Sequence, residues 1–227
     1  MTKRLALGSP IDALLDRLYA TNAGQDESLG AYFSKRAAEG SLDWNGFDDH
    51  ANQFLSDKLV ALDRDKAEFC YQVCRALRAT RVVEAGTSFG VSTLFLAAAV
   101  RDNGAGIVIA TENEPEKAKA ARANFAEAGL SDFIDLREGD LRQTLAEVRG
   151  PVDFMLIDIW TPMARPALEL VAPFLRDGAV VICDNTTQFA EAYRDYFELV
   201  NVPANRLRTM TLPFAGGLEF TVRVNVA

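Results

Sequence analysis

Carboxylates follow the short apolar segments in the second part of the chain. Glu84 lies in RVVEAG, Glu112 follows IVIAT, and Asp140 follows LREG. Asp158 ends MLID, and Asp184 ends VVICD. Carboxylate oxygens can hold a cation, accept hydrogen bonds from hydroxyl and amino groups, or take a proton from a substrate. Their joint chemistry depends on the elements that position them.

Apolar runs alternate with amphipathic runs from residue 81 onward, which is typical of parallel strands joined by crossover helices. Five apolar runs predict buried strands, at 81–86, 106–111, 133–138, 152–158 and 178–184. Five amphipathic runs predict helices, at 91–102, 115–128, 141–148, 162–175 and 188–199. Because parallel strands present their carboxyl ends at one edge of a sheet, we expect the acids to lie along that edge.

Two further strand-like runs lie at 206–213 and 218–226, separated by Phe-Ala-Gly-Gly at 214–217. So short a link permits a hairpin and forbids a crossover. The last strand is therefore predicted to be antiparallel.

Residues 1–80 are predicted to form a helical N-terminal cap. Ser9 and Pro10 suit the N-cap and the first position of a helix, and Asp63 or Asp65 can cap a helix ahead of the first strand. A loop that could fold over a site is predicted at 40–50. With no repeat and no convincing linker, residues 1–227 are predicted to be a single domain, with 81–227 as its core.

The segment Gly86-Thr87-Ser88-Phe89-Gly90 connects the first predicted strand to a helix. Its glycines let the backbone approach a ligand closely. A dinucleotide is disfavoured, because the third glycine of its fingerprint is missing and Glu84 would repel a pyrophosphate by an energy of order 1 kcal/mol. The segment also fits the Gly-x-Ser-x-Gly pattern of serine hydrolases, but the single histidine, His50, precedes the serine instead of following it.

A cofactor that carries positive charge next to an adenosine fits these acids better. S-adenosylmethionine has an ammonium and a sulfonium, which the carboxylate of Glu84 would attract. Glu112, about twenty residues beyond Gly90, is placed to accept both ribose hydroxyls, and Asp140 could accept from the adenine amino group. A nicotinamide oxidoreductase stays an alternative, since Glu112 would suit its ribose too.

A set of hard oxygen ligands is predicted where the fourth and fifth strands end. Asp158 ends the fourth strand, and Asp184 with Asn185 ends the fifth. Neighbouring parallel strands bring such residues together. Mg²⁺ or another divalent cation prefers these ligands, and it would hold two neighbouring hydroxyls of a substrate and lower the pKa of one. Two capping acids and a turn amide are the alternative interpretation.

Five segments carry a resemblance to a known family: VVEAGTSFGVSTL, IATENEPEKAKAARANF, LREGDLRQTL, VDFMLIDIW and GAVVICDNT. In this order they resemble the class I S-adenosylmethionine-dependent methyltransferases, and among them the cation-dependent O-methyltransferases of the catechol and caffeoyl-CoA type (O-methyltransferase family 3). The resemblance runs from about Leu62 to the C-terminus. It implies an α/β, Rossmann-like methyltransferase fold with a seven-stranded, mostly parallel sheet and an antiparallel last strand.

The resemblance also implies roles for particular residues. Glu84 would hold the amino-acid end of the cofactor, and Glu112 would bind the ribose. The residues that shape the cofactor pocket would be Gly86, Ser88, Gly90 and Ser92, with Asp140 and Leu141 beside the adenine. The metal ligands would be Asp158, Asp184 and Asn185, and Asp158 would also contact the cofactor and carry catalysis. The implied reaction is metal-assisted methylation of a small, aromatic, catechol-like hydroxyl compound.

The sequence departs from this family at the position of its base. Catechol-type relatives have a lysine three residues after the Asp of the fourth strand, where this chain has Thr161. A threonine hydroxyl is not basic near neutral pH. Either the metal alone activates the substrate, or another group such as His50 reaches the site, or the methyl acceptor differs. A metal-independent or non-methylating S-adenosylmethionine protein is therefore the alternative function. Arg165 could steady an anionic oxygen but cannot take its proton.

Two features bear on the choice of substrate. In the catechol enzyme, an acid near the start of the sixth strand binds the second hydroxyl of the substrate. The corresponding position in this chain is near Met210, whose side chain cannot bind it. An aromatic acceptor could be enclosed by aromatic side chains, although such residues are more often part of a core; the candidates are Trp44, Phe47, Phe54, Trp160 and Phe214.

Composition bears on partners and location. The chain has 24 Lys and Arg against 32 Asp and Glu, a net charge of −8 without a basic block, which argues against a nucleic-acid or anionic membrane surface. It lacks a signal-like or membrane-spanning apolar run, and Cys70, Cys74 and Cys183 have no metal-type spacing, so a cytoplasmic location is expected. The expected partners are a small-molecule substrate and, as in the relatives it resembles, a second copy in a homodimer.

Overall fold

The computed structural model describes residues 4–46 and 48–225, so that Phe47 and Val226 lie outside the described residues. Its centre is a seven-stranded sheet with the order β3-β2-β1-β4-β5-β7-β6. The strands are β1 Arg81–Ala85, β2 Ile107–Glu112, β3 Ile134–Glu138, β4 Val152–Ile157, β5 Leu175–Asp184, β6 Leu207–Leu212 and β7 Leu218–Arg223. The predicted fold class is confirmed.

The first five strands are parallel, and β7 pairs antiparallel with both β5 and β6. The predicted hairpin and antiparallel last strand are therefore confirmed. One strand is longer than the prediction of 178–184. β5 begins at Leu175, which pairs with Val152 of β4 before the register shifts.

The helices are α1 Ile11–Ala23, α2 Asp26–Ala38, α3 Asp49–Leu55, α4 Arg64–Ala76, α5 Val91–Asp102, α6 Pro115–Glu127, α7 Leu141–Thr144, α8 Ala164–Val171 and α9 Arg194–Val200. The helix predicted at 91–102 is confirmed to the residue. The predictions for 162–175 and 188–199 were too long. A 3-10 turn with Pro162 precedes α8 and another with Pro173 follows it, while turns occupy most of 185–193.

The N-terminal segment is helical, as predicted, with α1 to α4 between residues 11 and 76. Two of the predicted N-cap residues of these helices are wrong in detail. Ser9 is not the N-cap of α1: the helix begins at Ile11, and the carboxylate of Asp12 instead accepts hydrogen bonds from the backbone of Leu7 and Gly8, at 2.9 and 3.0 Å. Asp63 occupies the N-cap position of α4 without a capping hydrogen bond from its side chain. The loop predicted at 40–50 ends earlier, because Asp48 caps α3 by accepting from the backbone of Ala51 at 3.0 Å.

Two apolar clusters hold the sheet between its helices. Alternating residues of β1 belong to different clusters. Val82 belongs to the cluster that contains residues of α1, α4, α5 and α6, and Val83 belongs to the one that contains residues of α7, α8 and α9. This alternation is what strands buried on both faces require. The cores fix the strand ends from which the site is built. Within the described residues, no helix is both long and apolar enough to cross a membrane.

Candidate cofactor and substrate site

A cavity of about 420 Å³ lies over the carboxyl ends of β1, β2 and β4. The order of the sheet reverses between β1 and β4, and such a switch point leaves a crevice for ligands. The loops after the strands contribute Gly86, Ser88, Glu112, Asp140 and Asp158 to its walls, while the N-terminal cap contributes Trp44 and residues of 48–62. Its volume suits a small ligand.

The turn after β1 owes its path to glycine. Gly86 has a φ of +96°, and a Cβ there would collide with the carbonyl oxygen of Asp158. The turn therefore lies against the end of β4, and Ser88, with a φ of +50°, faces the cavity. Gly90 is the other glycine of this turn, and its predicted role at the cofactor pocket stays a prediction. It lies outside the cavity walls, and its missing side chain leaves room for the ring of Phe125 in α6.

Glu84 lies just behind the cavity wall. It is completely buried, and its Oε2 accepts hydrogen bonds from Thr87 Oγ1 at 3.1 Å and Thr93 Oγ1 at 2.5 Å. Its Oε1 has no hydrogen-bond partner among the described residues. Burial raises the pKa of Glu84 to about 7, although nearby hydroxyls oppose the shift. Thr87, which donates to Glu84, and Ser92 line the cavity, whereas Glu84 does not, and its predicted contact with the cofactor stays a prediction.

Glu112 lies on the cavity wall at the end of β2, as predicted. The backbone amides of Ser88 and Glu114 donate to its two oxygens, at 2.6 and 2.9 Å. These bonds fix the carboxylate and leave further lone pairs for ribose hydroxyls.

Asp140 and Leu141 also line the cavity, but Asp140 already has partners. Its carboxylate accepts from the backbone of Arg142 at 2.9 Å, and the Arg142 guanidinium forms an ion pair with it. These contacts lower the pKa of Asp140. Its predicted bond to an adenine amino group would use the lone pairs that remain.

The structure brings the three predicted metal ligands to adjacent strand ends. Ile157 of β4 pairs with Cys183 of β5, so Asp158 and Asp184 follow side by side. Asp158 and Asn185 are on the cavity wall, and Asp184 lies behind it. Burial, and then the charges of Asp184 and Glu84, raise the pKa of Asp158 well above its usual range.

The loop of the N-terminal cap covers the site, as predicted. The hydroxyl of Thr161 donates to the carbonyl oxygen of Trp44, so this residue, where relatives have their lysine, holds the loop in place. The ring of Trp44 lies 6.1 Å from that of Trp160 and 4.5 Å from that of Phe189, measured between centroids. Together these three rings, of which the sequence analysis missed Phe189, form an aromatic wall.

Several other candidates are placed elsewhere. His50 is exposed and outside the cavity walls, and Arg165 is paired with Glu169 of its own helix at 2.9 Å. Phe54 stacks on Tyr32, and Phe214 packs against Phe69, so neither belongs to the aromatic wall.

Comparison with known proteins identifies the family. Residues 83–186 match a family model described as a methyltransferase domain. The chain is 31% identical over 176 residues to catechol O-methyltransferase of Mycobacterium tuberculosis, covering 77% of this chain and 70% of that protein. It is 28% identical over 130 residues to catechol O-methyltransferase of Niastella koreensis, covering 56% and 58% of the two chains.

The chain belongs to the S-adenosylmethionine-dependent O-methyltransferases of the catechol and caffeoyl-CoA type. A solved O-methyltransferase from Bacillus cereus, in complex with SAH, shares the fold with a TM-score of 0.65 and 23% identity over 77% of this chain and 97% of that one.

One residue of this O-methyltransferase escaped the sequence analysis. Lys66 of α4 forms an ion pair with Asp184, with 2.8 Å between Nζ and Oδ1. In the sequence, Lys66 lies three residues after Asp63, a spacing that suggests only an ordinary ion pair on a helix surface. Nothing in the sequence indicates that α4 lies near the end of β5. The predicted ligands thus do not form an open oxygen set for a divalent ion, since an ammonium already holds one carboxylate.

Proposed function

We propose that this O-methyltransferase transfers the methyl group of S-adenosylmethionine to a hydroxyl oxygen of a small aromatic compound. The observation that carries the proposal is a single cavity with fixed carboxylates on its strand side and the aromatic wall of Trp44, Trp160 and Phe189 on its cap side. The acids suit a cationic cofactor, and the rings suit a flat, apolar acceptor.

The strand side would bind the cofactor. Gly86, Ser88 and Ser92 line the part nearest β1, and Glu112 offers oxygens to the ribose. Leu141, which is buried on the wall, gives the adenine an apolar surface beside Asp140. The unpartnered Oε1 of Glu84, a buried acceptor behind the cavity wall, would bind the cofactor ammonium.

Asp158 would receive the proton of the acceptor. The hydroxyl oxygen forms a bond to the methyl carbon, the bond from that carbon to sulfur breaks, and the sulfonium becomes a neutral thioether. The hydroxyl proton must leave, and Asp158 is a carboxylate on the wall between the turn of β1 and Trp160. A carboxylate within reach of the hydroxyl can act as the general base.

The test is transfer of labelled methyl from S-adenosylmethionine to a panel of phenols, catechols and aliphatic alcohols. We expect Asp158→Asn to lower kcat at least about 100-fold, the usual scale of general-base catalysis, while affinity for S-adenosylhomocysteine stays within about threefold. Asp132→Asn is the control, because Asp132 is exposed and precedes the opposite end of β3. Unchanged turnover in Asp158→Asn would remove Asp158 from the reaction, and transfer to no phenol would refute the acceptor class. The homodimer and the cytoplasmic location stay predictions.

A further inference from the structure

Lys66 is a buried cation at the acidic strand ends. Its side chain is 2% exposed, and its Nζ lies 2.8 Å from Asp184 Oδ1 and 3.0 Å from Asp63 Oδ2. Lysine is rarely buried unless it is paired. Asp63 is largely exposed, so the partner that accounts for burial of the ammonium is Asp184.

The ammonium of Lys66 lies where it can offset the repulsion between two neighbouring carboxylates. Asp158 and Asp184 follow paired strand ends side by side; Asp184 is buried and Asp158 is half-buried on the cavity wall. Two such carboxylates repel each other unless a cation lies beside them. In a metal site that cation is a divalent ion. Here the ammonium reaches the pair from α4, behind the cavity wall. The 2.8 Å distance between Lys66 Nζ and Asp184 Oδ1 is that of a charged pair.

We propose that Lys66 takes the place of the divalent cation, so that its ammonium neutralises and positions the Asp158–Asp184 pair and the enzyme works without a metal. The catalytic part of this inference rests on the proposed function; the part that concerns cation binding does not. Lys66 is a positioning residue, because it lies outside the cavity and acts through Asp184.

The inference also specifies the substrate class. A divalent ion on the cavity wall would chelate two neighbouring oxygens, whereas an ammonium behind the wall cannot. The acceptor therefore needs only one hydroxyl. We expect catechol and its singly hydroxylated phenol counterpart to be methylated with kcat/KM values within about threefold, where loss of a chelating bond would cost about tenfold or more.

The first experiment measures thermal unfolding and methyl transfer of the wild-type protein in EDTA and in millimolar Mg²⁺, Mn²⁺ or Ca²⁺. We expect no saturable rise in Tm with any of the ions and rates that agree within about twofold. A saturable rise in Tm, or loss of transfer in EDTA that an added ion restores, would overturn the inference. Absence of methyl transfer to every acceptor would refute the proposed function and leave the Tm result to decide the role of Lys66.

The second experiment replaces the ammonium. Lys66→Met leaves two uncompensated carboxylates, so we expect Tm in EDTA to fall by roughly 10 °C, with part of the loss recovered by a divalent ion. Lys66→Met/Asp184→Asn, which also removes one carboxylate, should regain Tm without an ion. Lys119→Met, at an exposed lysine of α6, is the control and should show neither effect. A Lys66→Met protein that no divalent ion stabilises, or a double variant less stable than Lys66→Met, would contradict the inference.

Discussion

Glu84 should make the stability of the ligand-free protein fall as pH rises. Its carboxyl group is completely buried, and its pKa is about 7 in the folded protein against a usual value of 4.5. Burial is the largest cause, the hydroxyls of Thr93, Ser92 and Thr87 oppose it, and the charge of Glu112 adds to it. Replacing Glu84 by Gln removes the charge and keeps the shape.

The sign and size of the effect follow from proton linkage. Because the pKa is raised on folding, the folded state holds the proton of Glu84 more tightly than the unfolded state does. The stability that this difference contributes is complete below pH 4.5 and is lost as pH rises through 7. Each pKa unit corresponds to about 1.4 kcal/mol, so the gap between 4.5 and about 7 is worth about 3 kcal/mol. Between pH 5 and pH 8, Glu84 therefore lowers the free energy of unfolding of the wild type by about 2.5 kcal/mol. Asp158, whose pKa is also raised, adds a loss of the same sign.

The assay is urea unfolding of the ligand-free wild type and Glu84→Gln at several pH values from 5 to 8. We expect the free energy of unfolding of Glu84→Gln to gain about 2.5 kcal/mol on that of the wild type between pH 5 and pH 8. Glu27→Gln, at an exposed position of α2, should follow the wild-type curve. Parallel curves for wild type and Glu84→Gln would refute the reasoning, since the buried carboxylate would then carry no penalty.

Two further predictions concern the cavity walls. Glu112→Gln should weaken S-adenosylhomocysteine binding by about tenfold or more, because hydrogen bonds to a charged group contribute about 1.5–3 kcal/mol, and calorimetry measures it; unchanged affinity would remove Glu112 from the ribose site. Thr161→Val deletes the hydroxyl that holds Trp44, so KM for the aromatic acceptor should rise severalfold while S-adenosylhomocysteine affinity is kept. An unchanged KM would show that the cap loop does not shape the acceptor site.

The sheet and its acidic edge could be predicted from the sequence because both depend on local patterns. Alternation of apolar and amphipathic runs identifies parallel strands, and residues that directly follow them must meet at one edge. Glu112 and Asp158 were found on the cavity wall for that reason. The hairpin followed from the short link at 214–217, whose Gly216 and Gly217 both have positive φ.

The remaining features depend on contacts between distant parts of the chain. Lys66 reaches Asp184 from another element, and Gly90 makes room for Phe125 of α6. Neither contact leaves a local signal in the sequence. Helix ends also depend on competing partners, since the hydrogen bonds to Asp12 set the start of α1 where Ser9 alone suggested a cap.

The central claim is that the acidic edge of this sheet binds the cofactor of methyl transfer. Calorimetric titration of the wild-type protein with S-adenosylhomocysteine, and separately with NAD, tests it most directly. We expect saturable one-site binding of S-adenosylhomocysteine, at least about 100-fold tighter than that of NAD, a difference of about 2.7 kcal/mol. No heat from S-adenosylhomocysteine, or equal affinity for NAD, would contradict it.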